Sequence, residues 1–211
     1  MNVLMDLTVK DFLAELASAS PAPGGGSVSA LAGALGAALV SMVARLSDGG
    51  DGSDEKEKED LRRLLERSLA LMESLSSGVD GDTEAFNRVM SAYRMPKETP
   101  EEKERRSRAI QKALQEAADH PLRMARECLD VLRIAGEMVR RGNPNALSDA
   151  GVAALIAYAG MVGSLFNVAI NLEGIKDQEF RRRLGAEKEI LMGEAAGIFA
   201  EIKNLLKTRL L

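Results

Sequence analysis

Ser20–Ala44 reads SPAPGGGSVSALAGALGAALVSMVA, a proline-hinged triple glycine running into small and aliphatic residues, with no charge from Val28 to Ala44. A phosphate loop needs a Lys and a Ser or Thr after its last glycine, and a dinucleotide fingerprint needs a strand before it; the stretch has neither. Small residues four apart, Gly33 with Ala37 and Ala32 with Gly36, share one helix face and let a neighbouring helix approach closely. The reading that remains is a tightly packed core helix. Three glycines at its start let a backbone come close to something, and the amides of Ser27, Val28 and Ser29 leave a helix N-terminus suited to an anion or a carbonyl oxygen, or simply make a turn packed on a neighbour.

A second uncharged run, Gly151–Leu172, has the same character. Both runs approach or reach bilayer-spanning length, but Ala, Gly and Ser gain little in lipid, and Asn167 and Asn171 would each cost several kcal/mol as unpaired amides in hydrocarbon. No membrane partner is expected. The formal charge of -4 argues against a nucleic-acid partner, because neutralising phosphates takes an excess of clustered Lys and Arg. The single cysteine, Cys128, cannot form an internal disulfide and reads as a half-buried small hydrophobe on an amphipathic helix. Acidic residues Asp6, Asp11 and Glu15 precede the first apolar run, unlike a signal peptide, so a reduced cytoplasmic setting is expected.

The rest of the chain carries helical spacing, and at 211 residues it suits one domain over 1–211. Thr8 caps a short helix that Pro21 and Pro23 close off; Ser27 is expected to cap the apolar helix. The acidic connector SDGGDGSDEKEKED leads to a charged helix with a buried stripe of Leu61, Leu64, Leu65, Leu69 and Met72. Gly78 and Gly81 interrupt it, and spacing resumes to Met95 with Asp82, Phe86, Val89 and Tyr93 on one side. Thr99 caps the next helix, His120 before Pro121 marks a boundary, and a further helix ends at Gly142. Ser148 or Asp149 is the expected cap of the second apolar helix, and a last amphipathic helix runs from about Asp177 toward Leu210. No stretch alternates with a period of two and only 3% of residues are aromatic, so the fold class is all-α, a single-domain bundle around two small-residue-rich helices.

Three polar groups stand out from this pattern. Asn167 and Asn171, one turn apart with Ser164 before them, either bond a neighbouring helix or line a ligand cavity. Asn143, Asn145, Ser148 and Asp149 cluster at the start of the same helix. Asp82 lies beside Asp80 and Glu84, as a first-turn carboxylate favoured by a helix dipole or as a site residue.

The blocks SPAPGGGSVSALAGALGAALVSMVARL, DGDTEAFNRVMSAYRMPK and GNPNALSDAGVAALIAYAGMVGSLFNVAINL, in this order and separation, resemble the cyclodeaminase/cyclohydrolase family of folate one-carbon enzymes. The resemblance covers nearly the whole chain. It implies an all-α homodimer that binds a tetrahydrofolate derivative in a cleft shared between subunits, with no cofactor beyond that substrate, no metal, and a possible separate formiminotransferase as partner. It implies either closure of 5-formimino-tetrahydrofolate to the 5,10-methenyl form with loss of ammonia, the first reading, or hydrolysis of the methenyl form to 10-formyl-tetrahydrofolate. A non-catalytic helical dimer is the third. A carboxylate near the bridging carbon would favour its cation, and the position in the motif assigns that role to Asp82. Phe86 and Tyr93 would lie beneath it as wall and support. Gly24, Gly25, Gly26 and Ser27 would approach the folate through backbone amides, and Asn145, Asp149, Asn167 and Asn171 would bond the pterin or order the loop. Family members commonly place a Thr, a Gly and a basic-aromatic cluster after the first apolar helix; the connector here is acidic, so Arg45 or Arg94 would have to hold the glutamate tail.

Overall fold

The computed structural model describes residues 3–47 and 55–210, and among these it contains α-helices and 3-10 turns but no strand. Most of the acidic connector, residues 48–54, lies outside the described residues. Six α-helices follow one another: α1 Val9–Leu16, α2 Gly25–Ser47, α3 Glu55–Tyr93, α4 Pro100–Arg141, α5 Leu147–Leu172 and α6 Gln178–Leu210. Short 3-10 turns, Leu4–Asp6 and Pro144–Ala146, precede α1 and α5.

The caps of α1 and α4 follow from sequence chemistry. Thr8 accepts from the Asp11 amide, and Thr99 with Glu102 forms a reciprocal capping box ahead of Pro100. Two expected caps are corrected. Helix α2 already begins at Gly25, so Ser27 lies inside its first turn and its hydroxyl donates to the Val79 carbonyl at 2.8 Å. Helix α5 begins at Leu147 with no side-chain cap, because Asn143 instead caps the preceding 3-10 turn.

Two expected breaks are also absent. Helix α3 runs unbroken through Gly78 and Gly81, and α4 unbroken through Pro121. The proline leaves the Ala117 carbonyl without its i+4 amide. Asn171 of α5 supplies the missing donor, its Nδ2 reaching Ala117 O at 2.7 Å. A tertiary bond thus replaces the helical one, and the apolar neighbours of Pro121 keep both sides of the gap buried.

Helix α2 runs antiparallel to α3 and to α5. A Cβ on Gly160 of α5 would lie 2.7 Å from the Ser29 carbonyl oxygen and 3.1 Å from the Gly33 nitrogen, so the two backbones meet there with no room for a side chain. Gly33 makes the equivalent approach to Cys128 of α4, where a Cβ would fall 2.5 Å from Sγ. Cys128 is fully buried rather than half-buried, and burial pushes its thiol up to about 12, which leaves it an inert packing group. Helix α6 lies parallel to α4, joined by Arg126–Glu187, Arg133–Glu194 and Arg140–Glu201, three pairs each seven residues on from the last.

By length and composition α2, and the segment 144–172 that contains α5, could each cross a membrane. In the fold they lie side by side with their inner faces in the core. Their outer faces keep large apolar side chains in view, among them Leu35, Leu46, Leu155, Phe166 and Ile170, each more than half exposed.

Candidate functional site

The start of α2 abuts the middle of α3. A Cβ on Gly26 would lie 2.0 Å from Asp82 Oδ1 and 2.3 Å from its Cγ, so glycine at this position is what lets the carboxyl group reach the helix N-terminus. Asp82 Oδ2 accepts from the Ser27 amide at 3.1 Å and from the Ser27 hydroxyl at 3.4 Å. The same hydroxyl lies 3.5 Å from Thr83 Oγ1. Residue spacing on α3 thus sends Asp82 and Thr83 to the turn of α2 where Gly26 carries no Cβ.

Two of the amides expected to face a ligand are committed within the chain. The Ser27 amide is taken by Asp82 and the Val28 amide by the Gly24 carbonyl. A carboxylate of the chain itself sits where the helix dipole favours negative charge. Gly26 serves the approach of Asp82.

Burial pushes the Asp82 carboxyl above its ordinary range, opposed by charge on His120 and by the two Ser27 bonds. His120 is not a helix-boundary residue but lies within α4, half-buried against α3, with Nε2 3.1 Å from the Gly78 carbonyl and Nδ1 3.2 Å from Arg123 Nη2. A Cβ on Gly81 would lie 2.7 Å from its Cε1. The glycines of α3 are therefore seats, Gly81 for the imidazole and Gly78 for the Met124 side chain.

Asn167 closes the site from α5. Its Nδ2 donates to the Gly163 carbonyl at 2.9 Å and lies 3.6 Å from where a Gly25 Cβ would be. Asn171 is committed to the Pro121 gap and so has a structural partner. Asn145 and Asp149 are not part of this group. Asn145 lies in the 3-10 turn before α5 and Asp149 in the first turn of α5, near Ser47 and Leu46, which the Asn143 amide and side chain bond at 2.8 Å. From Asp149 to Asn167 the helix rises about 27 Å.

The aromatic residues are also apart. Phe86 is half-buried one turn beyond Asp82, whereas Tyr93 lies about 16 Å along α3. Tyr93 is 46% exposed, with Arg106 over its ring and bonded to its carbonyl oxygen, so it does not support Asp82 from beneath.

Two hollows flank this turn of α3. One, of about 600 Å³, lies between the N-terminal segment and α3, lined by Leu4, Leu7, Pro23, Asp80, Thr83 and Asn87 among others. Asp80 shapes it by accepting from the Leu4 amide at 2.6 Å. The other, of about 390 Å³, is lined by His120 with Arg88, Glu116, Asp119, Arg123 and Arg126. Among the described residues no group of three or more His, Cys, Asp or Glu side chains is placed to hold a metal ion. Sequence spacing missed His120, Thr83 and the role of Gly81. The usable signal was a lone histidine before a proline inside an otherwise continuous apolar period.

Comparison with known proteins agrees with this architecture. Residues 8–190 match the formiminotransferase-cyclodeaminase family. A methenyltetrahydrofolate cyclohydrolase from Methylorubrum extorquens is 43% identical over 202 residues, which cover 96% of this chain and 97% of that protein. A formimidoyltransferase-cyclodeaminase from Rattus norvegicus is 37% identical over 206 residues; the match takes in 98% of this chain and only 38% of the rat protein's length. The crystal structure of formiminotetrahydrofolate cyclodeaminase from Thermotoga maritima superposes with a TM-score of 0.87 at 30% identity, covering 98% of both chains.

Proposed function

Because the chain belongs to the formiminotransferase-cyclodeaminase family of folate one-carbon enzymes, we propose that it works at the carbon bridging N5 and N10 of tetrahydrofolate, with Asp82 as the acid-base group. The observation that carries this reading is a half-buried carboxyl held against a helix start through the space that Gly26 leaves open. Such a group can accept a proton and, when ionised, presents negative charge to a cation.

Of the two reactions, methenyltetrahydrofolate cyclohydrolase is placed ahead of the cyclodeaminase that leads from the sequence, supported by the 43% identity to a protein of that name. Water attacks the methenyl carbon of the 5,10-methenyl cation and Asp82 takes the proton that the water gives up. The N5–C bond then breaks, N5 keeps the electron pair and receives a proton, and the formyl group stays on N10. The balance is one water consumed and one proton released. Charge on Asp82 offsets the cation before attack, which lowers the cost of holding it out of bulk water.

The cyclodeaminase reading is supported by the 30% identical Thermotoga maritima structure. There N10 attacks the formimino carbon and gives up its proton, and the imino nitrogen leaves as ammonia after protonation. Both directions pass through the same cation, so one carboxyl serves either. Absorbance of the methenyl chromophore separates them. Its accelerated loss from the methenyl substrate marks the cyclohydrolase, its appearance from 5-formimino-tetrahydrofolate marks the cyclodeaminase, and buffer rates with both would remove the enzymatic reading.

We also propose a homodimer through the outer faces of α2 and α5. Val28, Phe166 and Ile170 on that surface flank Gly25 and Asn167, so a second copy would wall the site as well as cover apolar area. Leu35→Glu should yield monomers by analytical ultracentrifugation. An unchanged mass would move the interface elsewhere.

A further inference from the structure

His120 is the only histidine in the chain, and the sequence offers no second imidazole to confuse its role. Its ring touches two partners of opposite kind. The Gly78 carbonyl at 3.1 Å from Nε2 can only accept, and the Arg123 guanidinium at 3.2 Å from Nδ1 can only donate. The neutral ring is therefore fixed with its proton on Nε2 and its lone pair on Nδ1. Gly81 gives the ring its seat on α3, and Asp82 is the next residue along that helix.

We propose that His120 is a positioning residue for Asp82: an imidazole packed on Gly81, the residue before Asp82 in α3, whose charge, when it appears, acts on the carboxylate and sets the pH range over which Asp82 exchanges its proton. The proposal rests on Asp82 being the acid-base group and deepens that reading.

The surroundings of the ring support it. Arg88 of α3 and Glu116, Asp119, Arg123 and Arg126 of α4 line the hollow that holds the ring, and the charge of Asp82 on α3 acts on it. Arg88 is engaged by Glu84 and Glu116, and Arg126 by Glu187, which leaves Arg123 as the cation bonded to the ring. Burial pushes His120 down, the Gly78 carbonyl and the charge of Asp82 pull it up, and Arg123 and Arg88 push it down. The influence is mutual, since charge on His120 pulls Asp82 down. Charge on either group therefore bears on the proton held by the other.

A lone histidine gives one imidazole Hε1 resonance, so the test can be read without turnover. The resonance of the full chain is followed against pH in wild type and in Asp82→Asn. The expected result is a lower midpoint in Asp82→Asn, because the carboxylate that favoured the imidazolium is gone. The same midpoint in both proteins would overturn the coupling.

Kinetics provide the second arm. In His120→Gln the side-chain amide can still donate toward the Gly78 carbonyl, so the helix contact is kept while the titrating charge is lost. The acid limb of the kcat profile should move to higher pH with KM unchanged. A limb that stays in place while kcat falls evenly at all pH values would show a structural role only and overturn the proposal. If neither folate substrate is turned over, the activity reading fails, and the resonance still decides whether the two groups are coupled.

Discussion

Asn171 donates to the Ala117 carbonyl at 2.7 Å, the acceptor that Pro121 leaves without a helical amide. One side chain of α5 thus repairs a break written into α4. Asn171→Leu strands a buried carbonyl and should cost about 1–3 kcal/mol in urea unfolding. Adding Pro121→Ala restores an amide to that carbonyl, so the double variant should recover most of the loss. Additive costs in the double variant would mean that the bond does not replace the missing one.

The glycines divide by what surrounds them. At Gly160 a Cβ would meet the Ser29 carbonyl oxygen and the Gly33 nitrogen, backbone atoms that cannot swing aside, so Gly160→Ala should cost about 1–3 kcal/mol or more by overpacking. Gly197 in α6 has nothing within 4 Å of its would-be Cβ, and Gly197→Ala should gain about 0.5–1 kcal/mol from helix propensity. Thermal melts of the two variants should therefore move in opposite directions. A shared direction would contradict the packing of α2 on α5.

The Arg–Glu ladder between α4 and α6 follows a seven-residue repeat, as expected where two parallel helices keep one seam facing the other. The side chains of Arg133 and Glu194 are 46% and 39% exposed, so Glu194→Gln should cost about 0.2–1 kcal/mol at low salt. In 1 M NaCl, where the screening length is about 3 Å, the difference from wild type should shrink. A cost that does not respond to salt would assign the contact to packing of the stems.

Stability should depend on pH through the site itself. Burial raises Asp82, so the folded state holds that proton more tightly than the unfolded chain does, and stability is lost as pH rises from the ordinary carboxyl value of 3.8 through the folded value. Asp82→Asn keeps an acceptor for the Ser27 amide without the charge and should raise Tm at pH 7. Burial lowers His120, so stability is lost as pH falls below 6.5 toward its folded value, and His120→Gln should flatten that step. Glu127, also raised by burial, remains in both variants and contributes its own slope. A lower Tm for Asp82→Asn at pH 7 would mean that the carboxylate is a net stabiliser.

Much of the helical order was legible because small residues at Gly33, Ala37 and Gly160 and caps at Thr8 and Thr99 act locally. Three features were not, each because a distant element decides the matter. Gly78 and Gly81 suggest a break by propensity, yet Met124 and His120 of α4 fill the space they leave and α3 continues through them. Pro121 suggests a helix end, and Asn171, 50 residues later, removes the penalty. Asn145, Asp149 and Asn167 share one expected role, but Asn145 precedes α5, Asp149 lies in its first turn, and the helix is long enough to put them and Asn167 at opposite ends of α2. The resemblance points to Asp82; its contact with Ser27 is not legible, since spacing does not reveal which turn of α2 it meets.

The most direct test is turnover by Asp82→Asn under the methenyl absorbance assay, with wild type and far-ultraviolet circular dichroism alongside. A variant that keeps its helicity and loses about 10²–10⁴-fold in kcat is the expected result. Wild-type kcat in the folded variant would contradict the assignment of proton transfer to the carboxyl group at the start of α2.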